Sequence, residues 1–221
     1  MQYAIIGAGG TGGVVGYFMT KAGKDVTLIA RGRHLEAMKE HGLTLERLWD
    51  PNPETIAVKA TDMEHYKEQP DVILVCVKGY SLEDTVPFIR RVAKPDTIVI
   101  PILNIYGTGA KLQKELPELL VTDGCIYVSA NIKEPGVLVQ HGKILRIVFG
   151  VREKTDWRTE LEQIRQDFTD SAIDGNLSEN IRREALEKFS YVSPIGAAGL
   201  YCNAVAGDFQ KEGAPRELFC S

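Results

Sequence analysis

The sequence predicts an α/β fold, in which a mostly parallel sheet with an antiparallel extension is followed by the start of an all-helical second domain. Short runs of β-branched residues alternate with helical patterns over the first third of the chain, which is typical of parallel strands joined by helices. Beyond Gly124, short strand patterns are separated by turns at Pro135-Gly136 and Gly142. From about Asn176 the pattern is helical throughout. We therefore predict a first domain at 1–172 and an incomplete helical one at 173–221.

The individual elements follow from two patterns: continuous apolar runs indicate buried strands, and a period of 3.6 residues indicates helices. Strands are predicted at 3–6, 25–30, 72–77, 97–103, 119–121, 127–132, 137–141 and 144–149. Helices are predicted at 10–22, 34–41, 82–92, 109–116 and 157–168. Segments 43–48 and 56–60 predict an excursion hairpin. Asn176, with Glu179 three residues later, predicts the N-cap of the final helix.

Composition and charge argue against several classes of protein. The 221 residues are 44% hydrophobic and 25% charged, which is typical of a globular chain, and the net charge of -4 argues against a nucleic-acid-binding surface. The apolar runs are all shorter than the roughly 18 residues of a membrane span. The four cysteines stand singly and the four histidines lack metal-ligand spacing. We therefore expect a cytoplasmic protein that binds neither nucleic acid, membrane nor metal.

A glycine-rich loop follows the first strand and opens the first helix. Its residues, Gly7, Ala8, Gly9, Gly10, Thr11 and Gly12, spell G-x-G-x-x-G. In this context the first glycine permits a tight turn, the second lets the backbone approach a pyrophosphate, and the third lets helix and strand pack closely. The helix N-terminus offers free N–H groups to the phosphates. The alternative is a loop whose glycines serve packing alone. The motif favours a Rossmann-type, doubly wound domain that binds a dinucleotide.

The end of the second strand indicates which dinucleotide is bound. An NAD site is expected to carry an acidic residue there, to bind the ribose hydroxyls. This chain has Arg31 and Arg33 instead. A guanidinium binds phosphate oxygens in a fork, so the pair suits the 2′-phosphate of NADP(H). The alternative is that both arginines are solvated surface residues.

A lysine interrupts an apolar stripe in the last helical segment. Ile181, Ala185, Lys188, Val192 and Ile195 recur every three or four residues and share one helix face. The lysine either extends to solvent along this stripe or lies in a cleft. In a cleft, a partly desolvated ammonium would serve as a general acid for a developing alkoxide.

With these features in order, the sequence resembles the ketopantoate reductase family over essentially its whole length. The resemblance rests on the glycine loop, Leu28-Ile29-Ala30-Arg31, Val75-Cys76-Val77-Lys78, Asn104 with Gly107, and Arg183-Glu184-Ala185-Leu186-Glu187-Lys188-Phe189. It implies an NADPH-dependent reduction of a 2-oxo acid, ketopantoate, on the route to pantothenate and coenzyme A.

The resemblance also implies roles for individual residues. Lys188 would be the catalytic proton donor, and Arg31 would meet the 2′-phosphate. Lys78 and Asn104 would line the cleft between cofactor and substrate. Both follow predicted strands, at the edge where open α/β sheets bind ligands. Their alternative interpretations are a surface lysine and a turn-forming asparagine.

The chain departs from the family pattern around the substrate. Val192 and Gly196 stand one and two turns beyond Lys188, and Ala206 stands further on, where the family usually has asparagines. Ser193 or Asn203 would have to compensate, so Ser193 is a candidate substrate-binding residue beside Asn104.

Two further departures concern the strand-end turn and the length of the chain. Ile105 lies in a turn that the family usually builds with glycine. The chain also ends soon after the helical domain begins, and exposed apolar faces there, such as those of Ile195, Leu200 and Val205, favour self-association.

Two other functions compete with a ketopantoate-type reductase. The first is a non-catalytic NADP(H)-binding domain, either a sensor or a degenerate fragment. The second is a short-chain dehydrogenase, because Tyr17 and Lys21 spell Y-x-x-x-K. That pair lies on the first predicted helix, away from the expected position of a nicotinamide ring.

Overall fold

The computed structural model of the chain describes residues 1–220 and confirms the α/β fold class. Its central element is a six-stranded sheet in which every pair of neighbouring strands is parallel. In chain order its strands are β1 Gln2–Ile6, β2 Asp25–Ile29, β5 Lys59–Thr61, β6 Val72–Val75, β7 Ile98–Pro101 and β8 Leu120–Val121. The spatial order is β5-β2-β1-β6-β7-β8. The order reverses between β1 and β6, which is where open sheets of this kind bind ligands.

Residues 1–220 contain seven α-helices, of which the first five cover the two faces of this sheet. They are α1 Gly10–Lys21, α2 Gly32–His41, α3 Thr85–Val92, α4 Thr108–Glu115, α5 Glu160–Asp170, α6 Ile181–Cys202 and α7 Ala214–Cys220. Alternate residues of β1 lie in different cores: Tyr3 and Ile5 pack on the side of α1 and α5, and Ala4 and Ile6 on the side of α3 and α4. A strand buried on both faces explains the continuous apolar runs in the sequence.

The remaining strands form two separate sheets. One has the order β10-β11-β3-β4, from β3 Leu43–Arg47, β4 Asp50–Ile56, β10 Ala130–Glu134 and β11 Val137–Gln140. The other has the order β13-β12-β9, from β9 Asp123–Tyr127, β12 Arg146–Gly150 and β13 Asp174–Leu177. The antiparallel strands are therefore present, but they pair with each other and with the excursion hairpin. The reason is burial: Leu43, Leu45 and Leu138 form an apolar face against α1.

Three local predictions were wrong. The strand predicted at 127–132 is split between β9, which ends at Tyr127, and β10, which begins at Ala130 in the other sheet. The excursion hairpin returns at β4, whereas residues 59–61 form β5, because they pair with β2 in the main sheet. Asn176 lies within β13, and Asn180 caps α6 by accepting a hydrogen bond from the backbone N–H of Arg183 at 3.2 Å.

The division into domains at residues 172 and 173 stays a prediction. Ser221, the last residue of the predicted second domain, lies outside the described residues. Within residues 1–220, no helix is long and apolar enough to cross a membrane.

A buried carboxylate ties α5 to the first strand. Asp167 is 4% exposed and accepts hydrogen bonds from the Tyr3 hydroxyl at 2.5 Å, the Lys24 ammonium at 2.9 Å and the Gln163 amide at 3.0 Å. Burial by itself would raise the pKa of Asp167, but these three donors outweigh it and hold the pKa below its usual range. The charged form is therefore the one that stabilises the fold.

We expect Asp167→Asn to lower the free energy of unfolding by about 1.5–3 kcal/mol at neutral pH, the range for hydrogen bonds to a charged group. Because the folded pKa is depressed, this contribution is complete above the unfolded pKa of about 3.9 and is lost as the pH falls through the folded value. Denaturant melts of both proteins between neutral and acidic pH should therefore converge on acidification. Asp170→Asn is the control, since the Asp170 side chain also pairs with Lys24 but is 45% exposed; an equal loss there would contradict the special role of Asp167.

Candidate functional site

The glycine loop joins β1 to α1, and its glycines meet different surroundings. Gly7 has a φ of +97°, in the left-handed region that favours glycine. A Cβ on Gly12 would overlap the carbonyl oxygen of Gly7, and one on Gly10 would overlap the carbonyl of Ala130 in β10. A Cβ on Gly9 would meet nothing within 4 Å. Gly10 and Gly12 thus permit close packing of the backbone, whereas Gly9 borders open space.

That open space is a cavity of about 720 Å³ at the carboxyl ends of the parallel strands. Five of the predicted cofactor-binding residues line it, namely Gly7, Ala8, Gly9, Arg31 and Lys78. Gly10, Thr11 and Gly12 form the first turn of α1 behind this wall. Asn104 lies at a second, smaller cavity.

The large cavity fits a dinucleotide. Its volume lies within the roughly 300–1,000 Å³ of typical ligand sites. The N-cap of α1 is Gly9, which has no side chain to bind the first N–H groups of the helix, so these are available to an anion. The missing side chain at Gly9 leaves the backbone open to close approach.

The cavity wall carries both signs of charge. Arg31 is exposed at the N-cap of α2 and lines the cavity, whereas Arg33 is exposed and is not among the described lining residues. Asp62 and Glu64 line it as well. The carboxylate of Asp62 accepts hydrogen bonds from the backbone N–H and the ring of His65, both at 2.8 Å, and the backbone bond leads in holding its pKa below the usual range. Arg31 is therefore the arginine placed to meet a bound phosphate.

His34 is a residue of this wall that sequence reasoning missed. Its Nδ1 accepts a hydrogen bond from the backbone N–H of Gly136 at 3.0 Å, so its Nε2 carries the proton and donates to the carbonyl of Ala8 at 2.9 Å. Burial lowers its pKa, in keeping with this neutral form. His34 thereby links the glycine loop to the β10–β11 turn. The only sequence signal was a histidine near the start of α2.

Lys188 lies in a cleft and does not extend to solvent. It is 8% exposed, and its Nζ donates a hydrogen bond to Asn104 Oδ1 at 2.5 Å. The Nζ also lies 5.3 Å from the centroid of the Tyr127 ring, a cation–π distance. Burial lowers the pKa of Lys188 below that of an exposed lysine. The stripe left two positions open for Lys188; the structure shows the cleft, and it brings Lys188 and Asn104 together.

A second cavity, of about 10 Å³, adjoins Lys188 and has the size of a single water. Asn104, Cys125 and Val192 are among the residues that line it. Burial raises the pKa of the Cys125 thiol, so it stays protonated at neutral pH. Cys125 and Tyr127 were missed, although their spacing of two on one strand places both on the same face of β9.

Ser193 and Asn203 lie apart from this cluster, whereas Ile105 lines the small cavity beside Lys188. Ser193 is exposed on α6, next in sequence to Val192 but off the Lys188 face, and Asn203 ends the helix in a left-handed conformation. A Cβ on Gly79 would overlap the side chain of Ile105, so Ile105 packs against the loop that follows Lys78. In residues 1–220, no group of three or more His, Cys, Asp or Glu side chains could hold a metal ion.

Comparison with known proteins places this arrangement in a family. Residues 3–154 match the model of "Ketopantoate reductase PanE/ApbA". A 2-dehydropantoate 2-reductase of Pyrococcus horikoshii is 32% identical over 201 residues, which cover 89% of this chain and 64% of the relative. The uncharacterized oxidoreductase YkpB of Bacillus subtilis is 27% identical, over 87% of this chain and 62% of the relative. The chain thus spans a little under two thirds of the length of these relatives.

Solved structures share the same fold. The structure of 2-dehydropantoate 2-reductase from Porphyromonas gingivalis has a TM-score of 0.86 and 25% identity, and the match covers 99% of this chain and 77% of that one. D-mandelate dehydrogenase, solved with NADH and anilino(oxo)acetate, has a TM-score of 0.88 at 20% identity, over 99% of this chain and 70% of that one. The latter likeness concerns the fold alone. Together with the matched residues, these findings show that the chain belongs to the ketopantoate reductase family.

Proposed function

We propose that this chain binds NADPH in the large cavity and reduces the carbonyl of a 2-oxo acid to a hydroxyl, with Lys188 as the proton donor. The observation that carries the proposal is the buried Lys188 ammonium, which is bonded to Asn104 just past the carboxyl end of β7. The names of the relatives support a reductase of this class. The route to pantothenate stays a prediction, and so does a cytoplasmic location.

Different residues of the large cavity would bind different groups of the cofactor. Gly9 and the N–H groups of the first turn of α1 would hold the pyrophosphate, and Arg31 the 2′-phosphate. Lys78 would lie between this site and Lys188, because it follows the central strand β6. When bound, NADPH supplies the hydride that adds to the carbonyl carbon.

Lys188 and Asn104 carry the proton chemistry of the proposal. The Lys188 ammonium donates a proton to the carbonyl oxygen as that oxygen gains negative charge, and the neutral amine that remains regains a proton from water. Asn104 orients the ammonium through its amide oxygen. Because the donor must be protonated, turnover should fall as the pH rises through the pKa of Lys188. Burial lowers that pKa, so the loss begins at a lower pH than for an exposed lysine.

Oxidation of NADPH with a panel of 2-oxo acids tests the proposal, with NADPH binding measured in parallel by calorimetry. We expect binding and acid-dependent oxidation. Binding without oxidation by any acid would favour the competing sensor function. Failure to bind NADPH would overturn both.

Cofactor preference depends on Arg31 in this proposal. We expect Arg31→Ala to weaken NADPH binding by about 10- to 100-fold and to leave NADH binding nearly unchanged, because hydrogen bonds to a charged group contribute about 1.5–3 kcal/mol. Arg33→Ala is the matched control: the same residue type, two positions away, is exposed and is not among the described lining residues. Equal losses for both variants, or for both cofactors, would contradict a specific 2′-phosphate contact.

Self-association is part of the same proposal. Of the three apolar residues expected to be exposed, Leu200 and Val205 are 88% and 71% exposed, whereas Ile195 is half-buried; Tyr201, next to Leu200, is 85% exposed. Large exposed apolar groups of this kind favour association with a second copy of the chain. Sedimentation analysis of the chain measures this directly.

A further inference from the structure

His34 bonds to backbone groups through both of its ring nitrogens. Its Nε2 donates a hydrogen bond to the carbonyl of Ala8 at 2.9 Å, and its Nδ1 accepts one from the backbone N–H of Gly136 at 3.0 Å. Gly136 is itself fixed, because its carbonyl accepts a hydrogen bond from the backbone N–H of Thr44 in β3 at 2.9 Å. The imidazole therefore ties the glycine loop to the sheet that contains β3 and β11.

The Ala8 carbonyl belongs to the same peptide unit as the N–H of Gly9. A trans peptide unit is planar and its C=O and N–H point in opposite directions, so a hydrogen bond that holds the carbonyl also sets the direction of the N–H. Among the contacts of residues 1–220, the Gly9 N–H has no protein acceptor, and Gly9 lines the large cavity. His34 thus orients a backbone donor that is available to an anion.

Only the neutral imidazole can make both hydrogen bonds. A protonated ring carries an N–H on each nitrogen, so its Nδ1 would present a donor to the Gly136 N–H, which is also a donor. Burial lowers the pKa of His34, and the hydrogen bond to Ala8 offsets this effect only in part. The neutral form therefore prevails at neutral pH, and acidification breaks the bond to Gly136.

The charged groups around His34 have both signs and come from several elements. The titratable side chains that line the large cavity with it are Arg31, Lys78, Asp62, Glu64, Asp84, Cys76 and Tyr80. In β10, which leads into the turn at Gly136, Lys133 pairs with Glu46 at 2.8 Å and Glu134 is exposed. Among the described residues, no charged side chain bonds to either ring nitrogen of His34, so burial and the backbone partners set its protonation.

We propose that His34 is a positioning residue of the cofactor site, which as a neutral imidazole orients the peptide unit of Ala8 and Gly9 for the pyrophosphate and, once protonated, weakens dinucleotide binding. This inference rests on the proposed function, because it concerns the dinucleotide that the large cavity would hold. Since binding requires the neutral ring, the dissociation constant should rise as the pH falls through the pKa of His34 in the free protein. The expected rise is about 2- to 10-fold, which corresponds to the loss of one hydrogen bond.

The pH dependence of dinucleotide binding tests this role. Dissociation constants of NADH and NADPH are measured by calorimetry between about pH 8 and about pH 5.5, for the native protein and for His34→Gln. Glutamine keeps an amide donor for the Ala8 carbonyl but cannot be protonated. NADH lacks the 2′-phosphate and its titration, and His65, which bonds to the cavity residue Asp62, is present in both proteins. We therefore expect the native protein to lose affinity on acidification relative to His34→Gln.

Two further variants and a stability measurement serve as controls. His41→Gln should retain the native pH profile, because His41 ends the same helix and its side chain is 73% exposed. His34→Leu removes both hydrogen bonds and should weaken binding at every pH. Melting temperatures are measured at each pH, because a purely structural role would lower that of His34→Gln and leave its binding profile equal to the native one.

The outcomes separate this inference from the proposed function. Equal pH profiles for the native protein and His34→Gln, or tighter binding by the native protein in acid, would overturn the inference even if 2-oxo acids are reduced. Profiles that differ as expected, without turnover of any acid, would support the inference and overturn the proposed reaction. Absence of binding by both dinucleotides would overturn both.

Discussion

Replacing Lys188 with methionine is expected to lower turnover of any 2-oxo acid by about 10²- to 10⁴-fold, the usual contribution of a positioned general acid. Methionine keeps an unbranched side chain of similar length but has no proton to donate. NADPH binding should be unchanged, because Lys188 is not among the described residues that line the large cavity.

Stability provides the first control for this variant. Lys188 is 8% exposed, and its charge is desolvated in the folded state, so methionine should leave the melting temperature equal or raise it. A loss of turnover in a protein that melts at or above the normal temperature cannot be ascribed to misfolding. Arg183→Ala is the second control, because it removes an exposed cation from the same helix and should leave turnover intact. Turnover of Lys188→Met within a factor of about ten of the native value would contradict the proton-donor role.

The second large effect is expected from substitutions in the glycine loop, where Gly9 and Gly12 should respond differently to replacement by alanine. Gly9→Ala should weaken NADPH binding by about 10- to 100-fold without destabilising the protein. The added Cβ would meet no protein atom within 4 Å but would project where the backbone must approach a pyrophosphate. A cost of about 1–3 kcal/mol for forcing a methyl group into a close contact corresponds to that range.

Gly12→Ala should show the opposite pattern. Its Cβ would overlap the Gly7 carbonyl, which is backbone and cannot move aside cheaply. We expect the free energy of unfolding to fall by about 1–3 kcal/mol, measured by denaturant melts. Destabilisation by Gly9→Ala, or full stability of Gly12→Ala, would show that the roles of the two glycines are assigned wrongly.

Local patterns predicted the parts of the site that are contiguous in the chain. The glycine loop with its flanking strand and helix, the arginine at the end of β2 and the stripe around Lys188 all lie within short segments. In each, the spacing of residues reflects one turn or one helix face, so it can be interpreted without knowledge of the rest of the fold.

Contacts between distant segments were the parts that sequence reasoning missed. Cys125 and Tyr127 approach Lys188 only because β9 pairs with β12 and the start of α6 packs on both. His34 reaches Gly136, 102 positions away, because β11 pairs with β3 directly after α2. Asn176 has the spacing of a helix cap, but pairing of its strand with β12 places it in a sheet.

The sequence by itself determined the fold class and the conformation of the glycine loop, because backbone preferences and apolar periodicity act over a few residues. Only the tertiary structure decided which partner the lysine meets: Asn104 lies 84 positions earlier in the chain. It also decided which arginine lines the large cavity. These properties depend on which surfaces the strand order brings together, and no single segment specifies that order.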